Sequence, residues 1–468
     1  MRLTAVQNDR AAGVLLATAV GDALGAGYEF THPTPETRID MIGGGLGPFA
    51  PGEWTDDTSM ALAIAEIAAT GADIGRGAGL DAVATQFRHW YATDPKDIGN
   101  QTRSVLSAAG PSAASMQARA RSLSGRKGGN GSLMRTAPVG LAHLDDAGKC
   151  LASAHEISSL THDDDQASEA CRIWSFGIRH AVLHGTFDGV RLALDHLPRA
   201  AAARWAALLD EAETAATARV FGNNGWVVHA LQAAWWAITH ARAGGPEHLQ
   251  EALELAVRAG HDTDTVAAIT GGLLGARWGA SAVPARWRRM VHGWPGYRAR
   301  DLVRLGLHTA WGGSDDGRGW PATPVVDYTG YRTDRRATHP HDAGVLLGGA
   351  DLLRAPDVDA VVSLCRVGPA PHAGEHVEFW MADADHRRNQ HLAFTIDDAA
   401  RTVRALRAEG KMVAVHCIEG ESRTPAVAAR YAVLLGRDPH DVLQAMPWAA
   451  PQPALWVAAT TGAGRLVG

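Results

Sequence analysis

The chain has 468 residues, room for two or three domains of ordinary size. Hydrophobic residues make up 46% and charged residues 20%, a globular balance that excludes a disordered or highly charged tail protein. With 44 Lys and Arg against 50 Asp and Glu the net charge is -6, so no global basic field points to nucleic acid or to an anionic membrane. The 52 glycines are in excess and follow no collagen-like period, which assigns them to turns and to close backbone approaches. Only four cysteines occur, Cys150, Cys171, Cys365 and Cys417, with no Cys-x-x-Cys pair, which excludes a disulfide framework or zinc knuckle and suits a reducing compartment.

The first apolar run, residues 11–20, is short and abuts Asp9 and Arg10. It reads as a helix rather than a secretory core, and no later window carries 18 uninterrupted apolar residues, so a soluble, cytoplasmic protein with no membrane partner is expected. From residue 10 to about 310, Ala/Leu-rich segments recur at helical spacing, among them residues 60–69, 167–183, 227–241 and 249–259, and no alternating strand pattern appears. An all-α domain over residues 1–310 is predicted. Residues 311–338 turn to Gly, Pro, Asp and Arg and read as a linker. Beyond it, the short apolar runs 345–347, 360–364, 377–380 and 412–415 suit buried strands, and 397–409 and 425–435 suit helices. That alternation predicts a small α/β domain over residues 339–468.

Two segments of the helical half look alike. Trp54, Thr55, Asp56, Asp57 and Thr58 run into the helix at 60–69, and His261, Asp262, Thr263, Asp264 and Thr265 run into residues 266–274. Asp and Thr at a helix start accept hydrogen bonds from its first amides and suit its positive end, so capping accounts for one such residue. Two clusters of paired carboxylates exceed that need, because adjacent anions repel unless a cation neutralises them. The donors are all carboxylate and hydroxyl oxygens, which selects Mg²⁺ or Mn²⁺ over zinc, and four carboxylates suit two ions. His261 is left as structural.

The string Gly21, Asp22, Ala23, Leu24, Gly25, Ala26, Gly27, Tyr28, Glu29, followed by the Thr55 cluster, resembles the opening of the ADP-ribosylglycohydrolase family, whose members include the dinitrogenase reductase activating glycohydrolases. Further matches follow in family order: Asp97 to Asn100, Gly129 to Arg135, Thr161 with His162, and the segment from Asp262 to Thr265. Over about the first 290 residues, the resemblance implies an all-α fold with two Mg²⁺ or Mn²⁺ ions held by Thr55, Asp56, Asp57, Asp262, Asp264 and Thr265. Glu29 would then assist cleavage at the anomeric carbon. The resemblance also implies that Gly129, Asn130, Gly131 and Ser132 cradle the phosphates of ADP-ribose, that His162 lines the same pocket, and that Asp97 lies near the leaving group. Asp163, Asp164 and Asp165 read as caps of the next helix.

In the second half, Val413 to Pro425 reads as a strand, a tight loop holding Cys417, and a helix with Pro near its first turn. Loop amides at such a helix start lower a thiol's pKa and make an anion nest, and Arg423 can grip phosphate oxygens as a fork. The His416, Cys417, five-residue, Arg423, Thr424 string resembles the signature of dual-specificity protein tyrosine phosphatases, over roughly residues 340 to 468. It implies Cys417 as metal-free nucleophile, Arg423 as phosphoryl binder, Thr424 or Ser422 as support for the thiolate, and Asp383 as general acid, with Asp385 close behind. Glu419 and Glu421 depart from the pattern and would raise the loop's negative charge.

Together these readings imply a bifunctional hydrolase whose partners are ADP-ribose, an ADP-ribosylated protein and a phosphorylated substrate. The alternatives are an ADP-ribose-binding module without turnover, fused to a phosphatase or phosphate-binding domain, and a structural chain that has given up catalysis.

Overall fold

The computed structural model describes residues 2–317, 319–323, 326–368 and 374–461. The chain divides into two compact units: Gln7–Val283 with Met290–Ser314, and Pro284–Arg289 with Asp315 onward, the short Thr4–Val6 counting with the second. Of residues 311–338, the first four group with the helical unit and the described remainder with the second, where Arg336–His339 forms a strand too short and polar to show as an apolar run.

The first unit is helical. Its principal helices are α1 (Ala5–Gly25), α2 (Asp56–Ala68), α3 (Ala147–Ser159), α4 (Asp165–His184), α5 (Val227–His240), α6 (Glu247–Arg258) and α7 (Thr263–Trp278). A two-stranded hairpin, β1 (His292–Gly293) with β2 (Tyr297–Arg298), is the unpredicted exception; strands of two residues carry no alternating signal. Helix α1 with its following turn is long and apolar enough to cross a membrane, yet it lies inside the unit, where a helix apolar all round belongs.

Glycine explains how α1 and α7 meet. A Cβ on Gly13 of α1 would come 2.6 Å from the Gly275 carbonyl oxygen of α7, and one on Gly25 would come 2.5 Å from the Asp264 amide nitrogen. The two backbones come close because a glycine on one helix or the other leaves out the Cβ at each of these points. Part of the glycine excess is thus spent on helix contact as well as on turns.

The second unit carries a five-stranded sheet in the order β3-β4-β7-β5-β6, from β3 (Arg336–His339), β4 (Asp342–Gly348), β5 (Ala360–Ser363), β6 (Glu375–Glu378) and β7 (Val413–His416). All neighbours are parallel except β3 with β4. The inner strands are buried on both faces, which is why they read as unbroken apolar runs. Helices α8 (Leu392–Ala408), α9 (Arg423–Leu434) and α10 (Pro453–Thr460) supply the core against the sheet. Central β7 opens at its C-terminal end into the loop that begins with Cys417, the end at which parallel α/β sheets place their ligands.

Candidate functional sites

In the helical unit, the starts of α2 and α7 face the C-terminal part of α1. Thr55 and Asp262 occupy the cap positions of α2 and α7, and neither side chain makes a capping bond. The acidic clusters are turned toward each other instead. Single carboxylate oxygens of Asp22, Asp57 and Asp264 lie within 4.8 Å of one another, all three residues buried, and those of Glu29, Asp262 and Asp264 form a second such group. The Thr55 hydroxyl donates to Asp57 Oδ2 at 3.2 Å and lies 3.4 Å from Asp264 Oδ2, and the Thr265 amide donates to Asp264 Oδ1 at 2.9 Å.

Asp22 was quoted in the sequence motif but given no role. A lone acid inside the apolar run of α1 was the signal that could have found it. It accepts from the Thr55 amide at 2.9 Å, the Thr58 amide at 3.0 Å and the Thr58 hydroxyl at 2.6 Å, which ties α1 to the first turn of α2.

Burial dominates the electrostatics and mutual repulsion adds to it. Asp22 is pushed up to about 6, chiefly by burial. Asp56 rises to about 8, by burial and then by Asp97 and Asp22, and Glu29 to about 7, by burial against an amide bond from Leu46. Asp57 and Asp264 stand well above the carboxylate range for the same reason. Asp57 Oδ1 is buried with no hydrogen-bond partner among the described residues. Crowded, buried carboxylates are what an oxygen-seeking cation relieves.

The Gly-rich loop meets this cluster through Asn130. Its Nδ2 donates to Asp262 Oδ2 at 2.7 Å and to the Asn224 carbonyl at 2.8 Å, and its amide donates to the Gly225 carbonyl. All three of its N–H groups are therefore engaged within the protein, and the side chain braces Asp262. Ser132 is buried too, its hydroxyl accepting from Ser158 at 3.0 Å and from the Cys171 thiol at 3.5 Å. Asn224, unmarked in the sequence reading, accepts from the Asp262 amide at 3.1 Å and donates to the Gly260 carbonyl. His162 is buried beneath the loop, its Nε2 edge facing Gly129 and Gly131. A cavity of about 720 Å³ borders the loop, lined by Lys127, Gly128, Gly129, Gln166, Asn223 and Trp226 among others. Asp97 sits partly exposed, close enough to Glu29 and Asp56 to repel both. Asp164 caps α4 as expected, accepting from the Gln166 and Ala167 amides. His261 is a packing residue, edge-on to His32 with ring centroids 4.6 Å apart.

In the second unit, Cys417 is buried and begins a loop that ends where Arg423 opens α9. Arg423 Nη1 donates to the Leu364 and Met381 carbonyls at 3.0 Å each, which fixes the fork, and its Nε is buried without a partner among the described residues. Gly420 turns the loop at φ +69, where a Cβ would come 2.5 Å from the Gly348 carbonyl carbon. The Ser422 hydroxyl donates to Asp383 Oδ1 at 2.5 Å and accepts from the Gln452 amide at 2.9 Å, placing Asp383 at the loop. Asp385 instead stabilises its own turn, accepting from the Arg387 amide at 3.0 Å. Thr424 donates to the Gly348 carbonyl at 3.2 Å, so both hydroxyls named as thiolate supports are engaged elsewhere. Glu419 accepts from the Arg332 amide and Glu421 pairs with Arg335 at 3.1 Å. Their charge is met by the segment taken for a linker, and the loop is less negative than its sequence suggests. His416 is pushed down to about 4 by burial and stays neutral, bonded to Ser363 at 2.5 Å.

Comparison with known proteins places these features. The sequence model of the family described as ADP-ribosylglycohydrolase matches residues 3–316. An ADP-ribosylarginine hydrolase, Tri1, of Pseudomonas putida (strain GB-1) is 32% identical over 288 residues, covering 60% of this chain and 74% of the relative. Among solved structures, one described as an ADP-ribosylglycohydrolase-related protein complex superposes with a TM-score of 0.50 at 29% identity, covering 66% of this chain and 99% of that one. Human DUSP28 aligns with 25% of this chain and 86% of its own, at 22% identity and a TM-score of 0.23.

Proposed function

Because the chain belongs to the ADP-ribosylglycohydrolase family, we propose that its helical unit removes ADP-ribose from a modified protein, using two Mg²⁺ or Mn²⁺ ions held by Thr55, Asp56, Asp57, Asp262, Asp264 and Thr265. The observation that carries the metal reading is the buried Asp57 Oδ1, unpartnered among the described residues, amid carboxylates raised by burial and then by mutual repulsion. An all-oxygen donor set fits a hard divalent ion. When bound, such ions would supply positive charge that orients ribose hydroxyls and water and lowers the water's pKa. In the reaction, the bond from the anomeric carbon to the acceptor breaks, a water oxygen replaces it, and a proton goes to the leaving atom. Glu29, raised to about 7, is suited to hold or release a proton near neutrality. In this reading the Gly129 and Gly131 backbone flanks the diphosphate. Asp97 would face the acceptor, where a carboxylate pairs well with a guanidinium. The arginine linkage named for the Pseudomonas relative makes arginine-linked ADP-ribose the first substrate to try.

For the second unit we propose Cys417-dependent phosphomonoester hydrolysis. Arg423, with a buried unpartnered Nε at the end of the Cys417 loop, supports it. The Cys417 sulfur would form a bond to phosphorus as the ester oxygen leaves with a proton from Asp383, and water would then release phosphate.

Both readings are tested in one experiment. Purified protein, with Mg²⁺ and with Mn²⁺, is offered arginine-, serine- and nucleic-acid-linked ADP-ribose and, separately, an aryl phosphate. A chelator is expected to abolish ADP-ribose release alone, and Cys417→Ser phosphate release alone. Loss of both activities in either treatment would overturn the two-site assignment, and tight ADP-ribose binding without release from any substrate would overturn hydrolysis in favour of a binding module.

A further inference from the structure

Arg135 lies wholly inside the helical unit with no carboxylate bonded to it. Its guanidinium stacks on Phe87, 4.5 Å from the ring centroid, and donates from Nη2 to the Ile157 carbonyl at 3.2 Å and to Thr161 Oγ1 at 2.7 Å. A buried guanidinium without an anion is costly, and such an arrangement persists where it does something besides packing.

Its effect is on Thr161. That hydroxyl is fully buried and makes two bonds, one to Arg135 and one at 2.7 Å to Nδ1 of His162. Arginine can only donate, so Thr161 Oγ1 accepts from it. The hydroxyl's single hydrogen then has His162 Nδ1 as its acceptor; were Nδ1 protonated instead, that hydrogen would be buried with nowhere to go. Nδ1 is thereby held bare and the ring proton is placed on Nε2. A Cβ built on Gly129 or Gly131 would lie 3.3 or 3.2 Å from that same Nε2, so the proton is directed at the backbone of the Gly-rich loop.

We propose that Arg135 and Thr161 are positioning residues that lock His162 in its Nε2-protonated, neutral form, so that it presents a fixed N–H donor to a diphosphate held at the Gly129 to Gly131 loop. This rests on the ADP-ribose reading of the helical unit and adds to it a relay from a buried charge to the ligand. With the opposite tautomer of His162 an anionic ligand would meet a bare nitrogen and be repelled, which is why the tautomer needs fixing.

The test is ¹⁵N NMR of histidine-labelled protein, with His162 assigned from His162→Gln, alongside calorimetric titration with ADP-ribose. The wild type is expected to show His162 Nδ1 unprotonated and Nε2 protonated. Thr161→Val is expected to mix the tautomers, to weaken ADP-ribose binding by about tenfold, and to raise KM far more than it lowers kcat. Thr161→Ser, which keeps the hydroxyl, is expected to restore all three. A wild-type spectrum with the proton on Nδ1 overturns the proposal whatever the variants do, as does a Thr161→Val protein with the ring unchanged. Wild-type protein with the Nε2-protonated ring that binds no ADP-ribose would instead overturn the reading on which the proposal rests.

Discussion

The Asn130 side chain donates from Nδ2 to Asp262 Oδ2 at 2.7 Å. The Gly-rich loop and the acidic cluster are thereby one device, since moving the loop releases the carboxylate that the second cluster contributes first. Asn130→Ala is expected to weaken Mn²⁺ binding by roughly 10- to 100-fold, the range typical when a group that orients a metal ligand is lost. Asn130→Asp is expected to do worse, because it adds an anion beside Asp262. Calorimetric titration of the metal-free variants checks both, and affinity equal to wild type would remove Asn130 from the site.

The raised carboxylates give a pH dependence of definite sign. A group whose pKa is higher folded than unfolded stabilises fully below its unfolded value, about 4 for a carboxylate, and that contribution is lost as pH rises through its folded value. For Asp22, Glu29 and Asp56 the folded values are about 6, 7 and 8. Metal-free protein is therefore expected to lose stability as pH rises from about 4 to about 8. A divalent ion reverses this, adding about 2.7 kcal/mol at a hundred times its Kd, or roughly 4 °C in Tm for a unit of this size. Thermal melts with chelator and with Mn²⁺ check it; the gap in Tm should widen with pH, since differencing the two cancels every group remote from the ion. A gap that is flat with pH would contradict the assignment of these shifts to the cation site.

The helical periodicity and the short apolar strands were legible in the sequence because each follows directly from which face is buried. So were the two acidic clusters, whose carboxylates are adjacent along the chain. Asp22 and Asn224 were not singled out, because their roles come only from distant partners, Thr55 and Thr58 for the one and Asp262 for the other. The polar composition of residues 311–338 reads as a spacer and carries no sign that Arg335 pairs with Glu421 or that the Arg332 amide bonds to Glu419.

Asp383 and Asp385 are two residues apart in sequence but differ in what they touch. Asp383 is bonded to Ser422 within the Cys417 loop, whereas Asp385 serves its own turn. Asp383→Asn is expected to lower phosphate release by about 10²- to 10⁴-fold, as removal of a general acid does, and to flatten the alkaline side of the pH profile. Asp385→Asn is expected to stay within a few-fold of wild type. Steady-state kinetics on an aryl phosphate with a poor leaving group decides, and the reverse order would reassign the acid to Asp385.

The contact of α1 with α7 makes the metal cluster depend on residues that carry no functional group. Gly25 leaves room for the Asp264 amide at 2.5 Å from where its Cβ would be, and Gly13 does the same for the Gly275 carbonyl. The obstructing atoms are backbone, so they yield only if the helices part, and parting them carries Asp22 away from Asp57 and Asp264. Gly25→Ala is thus expected to cost about 1 to 3 kcal/mol by overpacking, and to lower Mn²⁺ affinity even at temperatures where the protein is folded. Gly13→Ala, at the far end of the same contact, should cost comparable stability with a smaller loss of metal binding. Gly244→Ala, where a Cβ meets nothing within 4 Å, is the control for both. Denaturant unfolding and metal titration of the three variants separate the two effects, and a Gly25→Ala protein that binds Mn²⁺ as the wild type does would show that the cluster tolerates displacement of α1.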